Sequence, residues 1–125
     1  MNKNLLHKIY SSIDLSSDEE KRKTLQALRN EIDRIDKIIS KKLLDRTKII
    51  FLIGKIKKKL GVFAYSSERE DEIIKNIKGV SDDLSIQISI ENIYNKIIEE
   101  SRSLQKTDLI LSQLFEKNKL KDQKS

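Results

Sequence analysis

The sequence predicts an all-α protein, and three observations carry that prediction. Proline is absent and glycine occurs only at 61, 79 and 54 in 125 residues. Charged residues make up 37% of the chain, and apolar residues recur at steps of three and four over long stretches. Long helices are therefore the expected element, with sheets disfavoured, in a chain of single-domain length.

The elements follow in order. Residues 1 to about 16 read as a polar leader with little periodicity and room for one short helical turn. Ser17-Asp18-Glu19-Glu20 reads as a capping box that opens a helix. From Leu25 the apolar positions are 25, 28, 32, 35, 39 and 43, then 50, 53, 56 and 60, with Arg46 standing in the gap. This helix is expected to last until Gly61, about 40 residues and roughly 60 Å at about 1.5 Å per residue. A compact globule of this length is only about 35–40 Å across. The rod overshoots its own domain, and a homodimer with intertwined long helices is the simplest way to keep its stripe dry.

Gly61 to Tyr65 reads as a connecting loop, and Ser67 to Glu70 as a second capping box. A short helix runs from there to about Lys78, with Gly79 placed as its C′ residue. After Ser81-Asp82-Asp83, a third helix shows apolar residues at 86, 90, 93, 97 and 104, continuing through Leu111, Leu114 and Phe115. The basic stretch from Lys117 to Ser125 reads as a frayed end.

Composition excludes several classes of chemistry. There is no cysteine or tryptophan, and His7 is the single histidine. Disulfides, thiol nucleophiles, Cys/His zinc sites and most Ser-His catalysis are therefore excluded, and no metal or cofactor is expected. Residues Met1 to Lys8 lack the apolar core of a signal peptide, and no run approaches bilayer length, so a cytoplasmic location without membrane association is expected. The net charge of +6 comes from 26 Lys+Arg against 20 Asp+Glu. Such an excess can favour nucleic acid, acidic lipid or a small polyanion, but here the cations are spread among acids, as on a solvated surface. With 5% aromatic residues and no recognisable binding motif, no nucleic-acid partner is expected.

The informative polar residues are those on the dry face. Extending the three-four stepping gives 39, 43, 46, 50, 53, 57 and 60, which puts Arg46 and Lys57 on one seam with Ile50 and Ile53. Eleven residues at 100° each return to within about 20° of the start, three turns and about 16 Å along. Burying an unpaired charge is costly, so an inward pair of cations calls for buried acids, snorkelling side chains or an anionic ligand. In the third helix, Ser101 and Gln105 stand at i and i+4 beside Ile97 and Leu104, either as boundary residues or as neutral donors where leucines would otherwise serve. Arg29 lies 17 positions before Arg46, about 100° around the helix and some 25 Å away. It reads as a solvated arginine or, in an antiparallel dimer, as a residue reaching the other chain's pocket. Glu70 reads as a capping residue and Arg69 as a surface arginine on local evidence.

Taken together, the residues resemble the all-α (type II) chorismate mutases. The likeness runs from about 24 to 106 through Leu28-Arg29-Asn30-Glu31-Ile32-Asp33-Arg34-Ile35-Asp36, Leu44-Asp45-Arg46, Ile53-Gly54-Lys55-Ile56-Lys57 and Glu68-Arg69-Glu70. It ends in Ile97-Ile98-Glu99-Glu100-Ser101 with Gln105. It divides the chain into a leader (1–23), a mutase domain (24–106) and a helix extension with a basic tail (107–125). The resemblance implies a three-helix protomer, with one long, one short and one medium helix, in an interlocked homodimer. Its implied reaction converts chorismate to prephenate by a [3,3] rearrangement in aromatic amino-acid biosynthesis.

Carried over by position, Arg46 and the partner chain's Arg29 would bind the two substrate carboxylates, Ser101 would add a hydrogen bond and Arg69 positive potential. Lys57 and Gln105 would direct donors at the ether oxygen of the breaking bond, and Glu70 would accept from the ring hydroxyl. The family's loop before the Arg-Glu pair often carries an aspartate and a proline, where this chain has Ser66 and no proline; that position is expected to contribute mainly its backbone N–H.

A pericyclic rearrangement requires no proton transfer and no covalent intermediate, so the scarcity of His and Cys is no obstacle. The nearest alternative is an isochorismate pyruvate-lyase, which resembles the same family. A lyase is expected to lack a carboxylate at the position of Glu70, so Glu70 favours the mutase. A non-catalytic helical module that binds nucleic acid or a partner helix is the more distant alternative; its cations should face outward.

Overall fold

The computed structural model describes residues 3–62, 66–104 and Phe115. It contains four α-helices among the described residues: α1 (Lys3–Ser12), α2 (Asp18–Leu60), α3 (Ser67–Ile77) and α4 (Leu84–Leu104). A short 3-10 turn, Ile13–Leu15, follows α1. No strand occurs among the described residues. The all-α expectation therefore holds, while the count differs from three. The leader forms a helix of 10 residues rather than a single turn, because Leu5, Leu6 and Ile9 give it a helical apolar row that its polar content obscures.

The chain divides into two compact units, Met1–Leu43 and Leu44–Ser125. In the first, no described residue is fully buried; Ile9, Thr24, Leu28 and Ile35 are half-buried. Among the described residues, the second holds the buried hydrophobic ones, Phe51 at 4% exposure on α2 and Ile98 at 6% on α4.

Helix α2 is 43 residues long, and both ends are built as its sequence indicates. At its start, the Ser17 hydroxyl accepts from the Glu20 N–H at 3.2 Å and donates to the Glu20 carboxylate at 3.0 Å. Asp18, Glu19 and Glu20 occupy the positive first turn and Lys57, Lys58 and Lys59 the negative last one, as the helix dipole favours. At its end, Gly61 takes φ 69°. The Val62 N–H reaches the Lys57 carbonyl at 3.0 Å and the Gly61 N–H the Lys58 carbonyl at 3.2 Å, which is the Schellman pairing.

The cap of α3 falls one residue earlier than the sequence suggests. Ser66, not Ser67, is the N-cap, its hydroxyl accepting from the Arg69 N–H at 3.2 Å. Glu70 is thereby excluded from a capping box, since the box partner of Ser66 is residue 69, and its carboxylate turns elsewhere. The helix closes at Lys78, followed by Gly79 at φ 85°.

Asp83 caps α4 by accepting from the Ile86 N–H at 3.0 Å. The continuation of α4 through Leu111 and Leu114 lies outside the described residues.

Gln87 joins α3 to α4. At 8% exposure it is the buried polar residue among the described residues; its amide donates to the Ile77 carbonyl at 3.1 Å and its oxygen accepts from the Ser81 N–H at 3.1 Å. It satisfies two backbone groups of the connection between the helices, which buried main chain requires.

Candidate functional site

The second unit brings two pairs of polar side chains together at the C-terminal turn of α4. Arg46, half-buried on α2, donates from Nη1 to the Ser101 hydroxyl at 2.6 Å. That hydroxyl in turn donates to the Ile97 carbonyl at 2.8 Å, one turn back on its own helix. The serine's proton is thus engaged by its backbone, and its lone pairs face the guanidinium. The next residue, Arg102, donates from Nε to Glu70 Oε2 at 3.2 Å and from Nη2 to Glu70 Oε1. Two consecutive residues of α4 therefore hold side chains from α2 and α3.

The other expected residues fall as follows. Lys57 is half-buried on the last turn of α2, one face and three turns from Arg46. Ser66 is the half-buried N-cap of α3, so its hydroxyl serves the helix terminus, and its carbonyl accepts from the Glu70 N–H at 3.2 Å. Arg69 is exposed and paired with Glu72 at 2.9 Å, an i,i+3 link on one helix. Arg29 belongs to the first unit and is exposed. Gln105 lies outside the described residues.

Two residues of this region escape a reading by periodicity. Arg102 is offset by one position from the Ile97, Ser101 and Leu104 row, so it reads as solvated surface until α3 is placed beside it. Gln87 belongs to a row with Ile90, Glu91, Tyr94, Ile98 and Ser101, all buried or half-buried, whereas Ile86 and Ile93 are exposed. The inward row is marked by small polar and aromatic residues as much as by aliphatic ones, which the apolar count passes over.

The arrangement can bind anions. Arg46 offers a planar fork preset by Ser101, with a second cation on the same helix, and the fork suits a carboxylate. Among the described residues no group of three or more His, Asp or Glu stands close enough to hold a metal ion. No described helix is long and apolar enough to cross a membrane.

Comparison with known proteins places these residues in context. The family described as chorismate mutase type II matches residues 28–106, well over half of the chain. The chain is 40% identical over 86 residues to a bifunctional chorismate mutase/prephenate dehydratase of Aquifex aeolicus, covering 66% of this chain and 24% of that protein. It thus spans about a quarter of the length of this curated relative. The structure of chorismate mutase (form II) from Thermus thermophilus superposes with a TM-score of 0.63 at 26% identity, over 68% of this chain and 97% of that one.

Proposed function

The chain belongs to the type II chorismate mutase family, and on that premise we propose that it is an isomerase converting chorismate to prephenate by an intramolecular [3,3] rearrangement, in the cytoplasm and toward aromatic amino acids. The observation that carries this reading is the half-buried hydrogen bond between Arg46 and Ser101, 55 residues apart in sequence and both inside the matched segment. A guanidinium held inward by a neutral partner keeps its charge for a ligand, whereas one neutralised by a buried acid would not.

In this reading Arg46 binds one substrate carboxylate, with Ser101 fixing the angle of the fork and Arg69 raising the local positive potential. Clamping the carboxylates keeps the enolpyruvyl arm folded over the ring, a restriction of geometry that accelerates an intramolecular step. As the carbon–oxygen bond stretches, negative charge grows on the ether oxygen. Lys57 and Gln105 direct donors there, and in a water-excluded site each such donor is worth about 3–4 kcal/mol of barrier. Glu70 accepts from the ring hydroxyl, and Ser66 presents its backbone at the edge of the site.

The working form in this proposal is a homodimer in which Arg29 of one chain completes the site of the other. It is supported by the apolar residues that one chain leaves uncovered on α2: Leu25, Ile32, Ile39 and Leu43, then Ile49, Leu52, Ile53 and Ile56. Each is still 37–59% exposed, so covering it is worth about 1 kcal/mol, and exposed apolar rows of this extent mark an interaction surface.

Incubating purified protein with chorismate and, separately, with isochorismate tests the reading. Loss of chorismate absorbance with formation of prephenate is expected. Release of pyruvate from isochorismate, with chorismate untouched, would assign the lyase reaction instead.

A further inference from the structure

The contact between Arg102 and Glu70 has a role to fill beyond stability. The side chains are 44% and 22% exposed, and ion pairs so open to water contribute little to folding. The geometry is nevertheless specific: Nε and Nη2 engage both carboxylate oxygens, a fork that fixes the plane of the carboxylate as well as its position. The other nearby arginine does not do this, since Arg69 is committed to Glu72. Nor does the helix cap, which Ser66 completes with Arg69.

We propose that Arg102 is a positioning residue, whose guanidinium fork holds the Glu70 carboxylate in the orientation from which it accepts a hydrogen bond from the substrate ring hydroxyl. The inference rests on the reading of Glu70 given above. A carboxylate offers about four lone-pair sites; the fork occupies two and leaves two for the hydroxyl. Ser101 and Arg102 are adjacent on α4, so the same helical turn sets the carboxylate clamp on α2 and the hydroxyl acceptor on α3, and a shift of that turn moves both.

The test compares the full-length protein with Arg102→Leu, Arg102→Lys, Glu70→Ala and the Arg102→Leu/Glu70→Ala double variant, using chorismate as substrate and circular dichroism melting as the check on folding. Arg102→Leu is expected to lower kcat/KM about tenfold, the scale of one hydrogen bond to a charged group, with melting little changed. Arg102→Lys, which keeps the charge but not the fork, should recover only part of the loss. In the Glu70→Ala background, adding Arg102→Leu should cause no further loss. A double variant whose defect is the product of the two single defects overturns the inference, as does full activity in Arg102→Leu beside an impaired Glu70→Ala. Full activity in Glu70→Ala instead overturns the reading of Glu70 itself. Should Arg102→Leu fail to fold, Arg102→Gln carries the same comparison.

Discussion

Arg46 donates to the hydroxyl of Ser101 at 2.6 Å while that hydroxyl donates to the carbonyl of Ile97 at 2.8 Å. The serine is a relay between a helix backbone and a guanidinium, and its direction follows from its having one proton. To donate to a substrate carboxylate, Ser101 would have to leave Ile97; while it keeps that bond it acts by aiming Arg46.

Ser101→Ala should therefore weaken activity through Arg46. A lost hydrogen bond to a charged group is worth about 1.5–3 kcal/mol, so kcat/KM on chorismate should fall about ten- to a hundredfold. Arg46→Ala, which removes the charge as well, should cost more, and Ser101→Ala should add little to it. Steady-state kinetics on the three variants check this; a Ser101→Ala loss undiminished in the Arg46→Ala background would give the serine a role of its own.

Lys57→Ala should lower kcat by two orders of magnitude or more, because its ammonium is assigned to charge that develops only as the bond breaks. Binding of a substrate-like dicarboxylate should change far less. Turnover equal to the unaltered protein would remove Lys57 from the mechanism.

Helix type and the ends of α2 were legible because they rest on local chemistry: Ser17 with Glu20, and Gly61 at positive φ. The inward placement of Arg46 and Ser101 was legible from the three-four stepping. The cap of α3 was not, since Ser66 and Ser67 are equivalent by type and tertiary packing chooses between them. Helix α1 was expected only as one short turn, because its apolar residues are few and polar ones stand between them. Arg102 was hidden for a different reason: its partner lies 32 residues away on another helix, and such pairings leave no mark on periodicity.

Gln87 should matter to folding and not to chemistry. Gln87→Leu leaves the Ser81 N–H and the Ile77 carbonyl without their side-chain partner, and for these part-buried bonds the cost is about 0.5–1.5 kcal/mol each. Denaturant titration should show the loss as a lower midpoint, while kcat of the folded fraction stays near that of the parent.

Sharing of sites between chains predicts complementation. Arg29→Ala and Arg46→Ala homodimers should each be nearly inactive, and refolding an equal mixture should restore activity, because half of the molecules become heterodimers and each of these carries one intact site. No recovery in heterodimers isolated through a different affinity tag on each variant would place Arg29 within its own chain's site.

The cap of α4 makes stability dependent on acid. The Asp83 carboxyl is held below its ordinary value of 3.8 by the Ser85 hydroxyl, and next by the Ile86 N–H. A carboxyl depressed by folding stabilises the folded chain wherever the unfolded one would bind more protons, and that contribution is present above pH 3.8 and is lost as pH falls through the lower folded value. Asp83→Ala should therefore lower the melting temperature by an amount that is constant from neutral pH down to about 5 and shrinks under stronger acid. Thermal melts of both proteins across that range measure the gap directly. A gap that persists unchanged into strong acid would mean that the aspartate caps the helix equally well when protonated.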